Sequence, residues 1–117
     1  MAMNKETNWY DFDDGFSIGT SGPDGGLILR EEENRGEARI TLEEDGSFSP
    51  FSITSGIYGW QAHTRYFSSK VEADEQYSRM KIDLNRILEL ISEIDESDED
   101  ALAAVAEEIG EFFEKYP

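Results

Sequence analysis

At 117 residues the chain has the length of one ordinary domain, and 27 Asp plus Glu against 10 Lys plus Arg leave a formal net charge of −17. That charge argues against nucleic acid as a partner, because phosphates would meet a repulsive field, and against anionic membrane surfaces. Cysteine is absent, which removes disulfides, thiolate zinc sites and cysteine nucleophiles.

A core is still within reach. The chain holds 2 Trp, 5 Tyr and 7 Phe, each able to bury a large area. A single α+β domain over 1–117 is expected, with residues 1–8 as a flexible polar leader. The leader has no apolar segment of a secretory signal, and no apolar run approaches the roughly 20 residues needed to span a bilayer. A cytoplasmic location follows as the expectation.

Residues 9–20 are expected to contain a first strand, because Tyr10 and Phe12 alternate with acids and Phe16 and Ile18 resume the pattern after Gly15. Asp11, Asp13 and Asp14 lack the alternating ligands and closing glutamate of an EF-hand loop, so they read as a solvated turn and no metal site is expected. Ser21 to Gly26 is a dense turn cluster without the lysine or spacing of a phosphate-binding loop. No cofactor motif occurs.

Alternation of Ala38, Ile40 and Leu42 with Arg39 and Thr41 marks a strand with one buried face. Asp45-Gly46 then predicts a hairpin into Phe48–Ile53, with Pro50 at a strand end. Gly56 and Gly59 divide the long stretch 51–67, and a tight turn over 55–59 is preferred to one bent strand. The result is an antiparallel meander of four to five strands over about 9–67.

Between Gly46 and Val71 lie 26 consecutive residues without one acid. Proportion alone would place roughly six there. Inside are Tyr58, Trp60, the single histidine, His63, and Arg65. If a strand runs from Trp60 to Phe67, Gln61, His63 and Arg65 share a face with Phe67 and form an outward or cleft-lining polar row. Gln61, His63 and Arg65, with Tyr58 and Trp60, are the candidate ligand-binding residues. No catalytic motif accompanies them, so the chain is not expected to be an enzyme.

Two amphipathic helices are expected to close the chain, over about 70–94 and 98–115. Ser69 to Glu72 fits a capping box, and Ala73, Tyr77, Met80, Leu84, Ile87, Ile91 and Ile94 recur at threes and fours. Leu102, Val105, Ile109, Phe112 and Tyr116 repeat the pattern after a short acidic linker, which makes the helices antiparallel neighbours on one sheet face. The 73–94 stripe also suits a coiled-coil seam, so a homodimer across it is a further expectation.

Lys70 to Pro117 carries 15 acids against 5 bases. Glu31, Glu32 and Glu33, with Asp95, Glu96, Asp98, Glu99 and Asp100, are the candidate partner-binding acids that would steer a basic protein. In size and charge alone the chain resembles bacterial immunity proteins, which neutralise basic toxin domains. No motif carries that resemblance, so it assigns no functional residue. The leading functional expectation is a non-catalytic acidic inhibitor or immunity-type binder of a basic protein. A ligand-binding or regulatory domain using the His63/Arg65 face is the alternative, and DNA mimicry by rows of carboxylates the third.

Overall fold

The structure, a computed structural model, describes residues 8–117, and the Gln61 side chain lies outside that description. Five strands form one antiparallel sheet in chain order: β1 (Trp9–Asp11), β2 (Leu27–Asn34), β3 (Ala38–Glu44), β4 (Phe51–Ile57) and β5 (Gln61–Phe67). Two helices follow, α1 (Lys70–Glu93) and α2 (Glu99–Lys115). This is the α+β meander with a terminal helical layer that alternation and helical periodicity predict.

Local chemistry explains most boundaries. Ser69 caps α1 by accepting from the Glu72 amide, and Asp98 caps α2 by accepting from the amides of Asp100 and Ala101. β4 and β5 are joined by a turn in which the Trp60 amide donates to the Ile57 carbonyl. Gly59 supplies the positive φ of +83° that a type II turn requires at its third residue. The hairpin reading of 51–67 therefore holds, but the turn sits later than expected: Gly56 is inside β4 and Trp60 is in the turn. Between β3 and β4 the connection is also longer than a two-residue Asp-Gly hairpin. It spans 45–50, closed by the Asp45 amide donating to the Pro50 carbonyl. β1 is only three residues long and gives way to a 3-10 turn, Phe12–Gly15, so the first strand occupies a small part of the expected 9–20.

The core lies between the sheet and α1. Ala38, Ile40 and Leu42 of β3, Ile53 and Ile57 of β4, and Phe67 of β5 meet Ala73, Tyr77, Met80, Leu84 and Ile87 of α1, all buried. Val105, Ile109, Phe112 and Tyr116 bring α2 into the same cluster. The α1 stripe is thus covered by the chain's own sheet and second helix. It offers no free seam for the homodimer expected across it; Ile91 and Ile94 are partly buried at the core margin.

Residues 1–7 of the expected leader fall outside the described residues. Asn8, its last member, is tied down: its side-chain amide donates to Asn85 Oδ1 at 2.9 Å. Beside it a polar seam joins β1 and β2 to α1. Trp9 Nε1 donates to the Lys81 carbonyl, Asn34 donates to Asn85, and Lys81 Nζ meets Glu32 at 3.1 Å. None of the helices described is long and apolar enough to cross a membrane.

Candidate functional site: the outer face of the sheet

Cross-strand register settles which side chains share the face turned away from the helices. Three rows run across β3, β4 and β5: Arg39, Gly56 and Ala62; Thr41, Thr54 and Thr64; Glu43, Ser52 and Tyr66. Period-two alternation makes this inevitable once Ile40, Leu42, Ile53 and Phe67 turn inward.

A strap folds over one end of that face. The segment Ser21–Gly26 is held by Glu43, whose carboxylate accepts from the Gly26 amide at 2.9 Å and the Asp24 amide at 3.1 Å. Glu43 is 0% exposed, an unusual place for a carboxylate, and its hydrogen bonds to two backbone donors offset the loss of water. Ser47 donates to the Asp24 carbonyl and Tyr66 to the Asp24 carboxylate, tying the strap to both neighbouring segments.

The rest of the face is an open groove of about 490 Å³. Its floor is Thr54, Gly56 and Ala62, its walls include Tyr58 and Trp60, and Arg39 and Pro23 lie along it. Such a volume falls in the range of ligand and peptide sites. Thr54 and Thr64 hydroxyls lie 2.9 Å apart and share one hydrogen bond, which either can donate. The aromatics are not hidden: Tyr58 is 48% exposed, Trp60 39% and Tyr66 42%. Phe48 stands edge-on to Tyr66 with ring centroids 5.7 Å apart.

Among the described residues Arg39 is the one charged member of the groove's lining, and Glu33 and Glu31 hold that lining from outside it. Glu33 accepts from the Tyr58 hydroxyl at 2.8 Å and the Tyr10 hydroxyl at 2.9 Å. Burial, and then the bond to Glu33, push the Tyr58 hydroxyl up to about 12, so it stays protonated and donating at neutral pH. Glu31 accepts from Thr41 at 2.6 Å and lies 3.9 Å from Arg39 Nε, while the Arg39 guanidinium stacks 4.3 Å over Phe12.

Gln61 apart, whose side chain lies outside the description, the candidate ligand residues are not brought together. Tyr58 and Trp60 line the groove. His63 and Arg65 sit on the opposite, helix-facing side, which corrects the expectation of an outward polar row. His63 stacks on Phe113 of α2 with ring centroids 5.2 Å apart, its Nε2 buried without a partner. Arg65 lies over Phe67 and Tyr116 and donates to Gln76 at 3.3 Å. Phe67 shares their alternation, and its burial was the signal that this face is the inner one.

The acidic candidates divide as well. Glu31 is buried and bonded to Thr41, Glu32 accepts from Lys81, Tyr77 and Arg30, and Glu33 from two tyrosines. These three hold the fold together and do not stand free for a partner. Asp95, Glu96, Asp98, Glu99 and Asp100 are all exposed. Within that run Asp98 serves as the α2 cap, and the Ser97 amide and hydroxyl hold the Asp95 carboxyl below the usual carboxylate range.

Cations, by contrast, are largely taken up inside the molecule. Seven of the nine lysines and arginines among the described residues sit in ion pairs: Arg30, Arg39, Lys70, Arg79, Lys81, Arg86 and Lys115. Compared with protein-family models, with curated proteins and with solved structures, the chain matches none of them.

Proposed function

We propose that this protein is a non-catalytic binding module for a basic protein partner, of the inhibitor or immunity type, and that the partner docks on the outer face of the sheet. The observation that carries the reading is the groove itself: half-exposed Tyr58 and Trp60 over a floor of Gly56 and Ala62, in a chain of net charge −17. Tyrosine and tryptophan concentrate binding energy at protein interfaces, because they bring large rigid area and one polar tip. Surrounding charge of one sign adds speed of association and choice of partner more than affinity. With most cations already paired internally, the surplus carboxylates give a field that attracts a basic surface.

Capture from a native lysate with the full chain as bait tests this. The retained protein should be basic, and its retention should collapse between low salt and about 0.5 M, where the screening length shortens to roughly 4 Å. Retention that is indifferent to salt, or selective for acidic proteins, would refute the reading.

A further inference from the structure

The two edges of the sheet are finished differently. On one side β1 is three residues long and ends in the Phe12–Gly15 turn. On the other, β5 offers seven residues in unbroken register with β4, from Gln61 opposite Ile57 to Phe67 opposite Phe51. Edges are normally blunted by shortness, proline, a bulge or outward charge, because an open edge templates pairing with another chain. β5 has no proline and no bulge, and its one cation, Arg65, is turned to the helix side.

Hydrogen-bond parity shows which groups that edge presents. The Tyr58 amide bonds to the Glu37 carbonyl and the Asp45 amide to the Pro50 carbonyl, continuing the β3–β4 ladder at both ends. By alternation Ser52, Thr54 and Gly56 bond to β3, which leaves Phe51, Ile53, Ser55 and Ile57 to bond to β5. Their partners are Phe67, Arg65, His63 and Gln61. The amides and carbonyls of Ala62, Thr64 and Tyr66 therefore point away from β4. The short Thr54–Thr64 hydroxyl contact fits a non-hydrogen-bonded pair, where side chains lie closer. Among the described residues no backbone bond joins these three to any other segment.

We infer that the edge of β5 receives an extended basic segment of the partner as a sixth strand, with its outward side chains lying along Trp60, Ala62, Thr64 and Tyr66. The inference rests on the basic-partner reading and adds the mode of recognition: main-chain bonds to Ala62, Thr64 and Tyr66 give affinity, and the aromatic groove selects side chains. Charge decides the occupant. A second copy pairing edge to edge would set −17 against −17, whereas a lysine- or arginine-bearing strand meets Asp24 beside Tyr66.

The test is selection of a displayed library of random twelve-residue peptides on the full chain, followed by binding and amide-exchange measurements with the enriched peptides. Enriched sequences should alternate lysine or arginine with β-branched or aromatic residues, and should slow exchange at the amides of Ala62, Thr64 and Tyr66. Thr64→Pro removes one outward amide without touching the β4 ladder and should weaken binding about tenfold or more, while Thr64→Val, which keeps that amide, should stay within about twofold. If Thr64→Pro does not fold, exchange in the wild-type chain still decides. Absence of any enriched peptide, or peptides that bind without protecting these three amides, overturns the edge inference; salt-sensitive binding of basic peptides elsewhere would leave the basic-partner reading standing. Enriched peptides that are not basic would instead sink that reading. Concentration-dependent dimers protecting the same amides would make the occupant a second copy and overturn the proposal.

Discussion

Replacing Glu43 should unlatch the strap. Its carboxylate is fully buried and accepts from the Gly26 and Asp24 amides, which have no other acceptor among the described residues. Hydrogen bonds to a charged acceptor contribute about 1.5–3 kcal/mol each, but a released strap recovers some of that by exposing its amides to water. Glu43→Ala should therefore cost about 2–4 kcal/mol, and Glu43→Gln, which keeps the volume but turns one acceptor into a donor, about 1–2 kcal/mol. At this chain length each kcal/mol lowers the melting temperature by roughly 3–5 °C. A second substitution makes the reasoning strict. A Cβ at Gly22 would lie 2.8 Å from Glu43 Cγ and closer still to its carboxyl carbon, so Gly22→Ala collides with a side chain pinned in place. The three nearest atoms all belong to Glu43, so Gly22→Ala should be destabilising in the wild type and much less so in Glu43→Ala. Urea unfolding of the four proteins in this double-mutant cycle should give a coupling of about 1–3 kcal/mol. Additive effects, or a Glu43→Ala protein within about 0.5 kcal/mol of wild type, would show that the strap is not latched through Glu43.

Lys81 and Glu32 form the most buried ion pair among the described residues, so Lys81→Ala should cost about 3–5 kcal/mol, whereas replacing both by apolar residues of similar size should restore most of it; a mild single mutant in denaturant titrations would refute the pairing. Alkali offers a separate check. Burial raises the hydroxyls of Tyr58, Tyr77 and Tyr116, and carboxylates accepting from them (Glu33, Glu32 and Asp83) raise them further. Each folded value lies above the unfolded 10, so the stability these groups add is complete below pH 10 and is lost as pH rises beyond it. For Tyr58 the loss spans pH 10 to about 12. Tyrosinate absorbance should accordingly appear late and together with unfolding, and simple titration of all tyrosines near pH 10 in a folded chain would contradict this.

Much of the architecture was legible because it depends on neighbours in sequence. Alternation at 38–42, the serine and aspartate caps, and the heptad-like spacing of α1 are short-range signals that tertiary packing reinforced. The face of β5 was not legible in the same way. Alternation groups His63 with Arg65 and Trp60 with Tyr66, but it does not say which group the helices cover. Buried Phe67 answers that only once α1 is seen lying on it. Glu31, Glu32 and Glu33 misled for a related reason. As a run they look solvated, yet the pleat sends Glu32 toward Lys81 and Tyr77 and the other two toward Thr41, Tyr10 and Tyr58, partners far away in sequence. Glycine placement misleads by a few residues: Gly56 and Gly59 both suggest a turn, and of the two only Gly59 has a positive φ.

Trp60 gives the most direct test of the docking face. Trp9 is buried and bonded to the Lys81 carbonyl, so Trp60 dominates any change in tryptophan emission on binding at the groove. With the captured basic partner in hand, the affinity of the wild type should be compared with Trp60→Ala and with Glu96→Lys/Glu99→Lys/Asp100→Lys at the helix junction. The account predicts that Trp60→Ala loses about 2 kcal/mol, roughly thirtyfold, with little change in melting temperature. It also predicts that the junction variant slows association with a smaller effect on dissociation. An unchanged affinity for Trp60→Ala, with binding abolished by the junction variant, would place the partner on the helices and contradict the account.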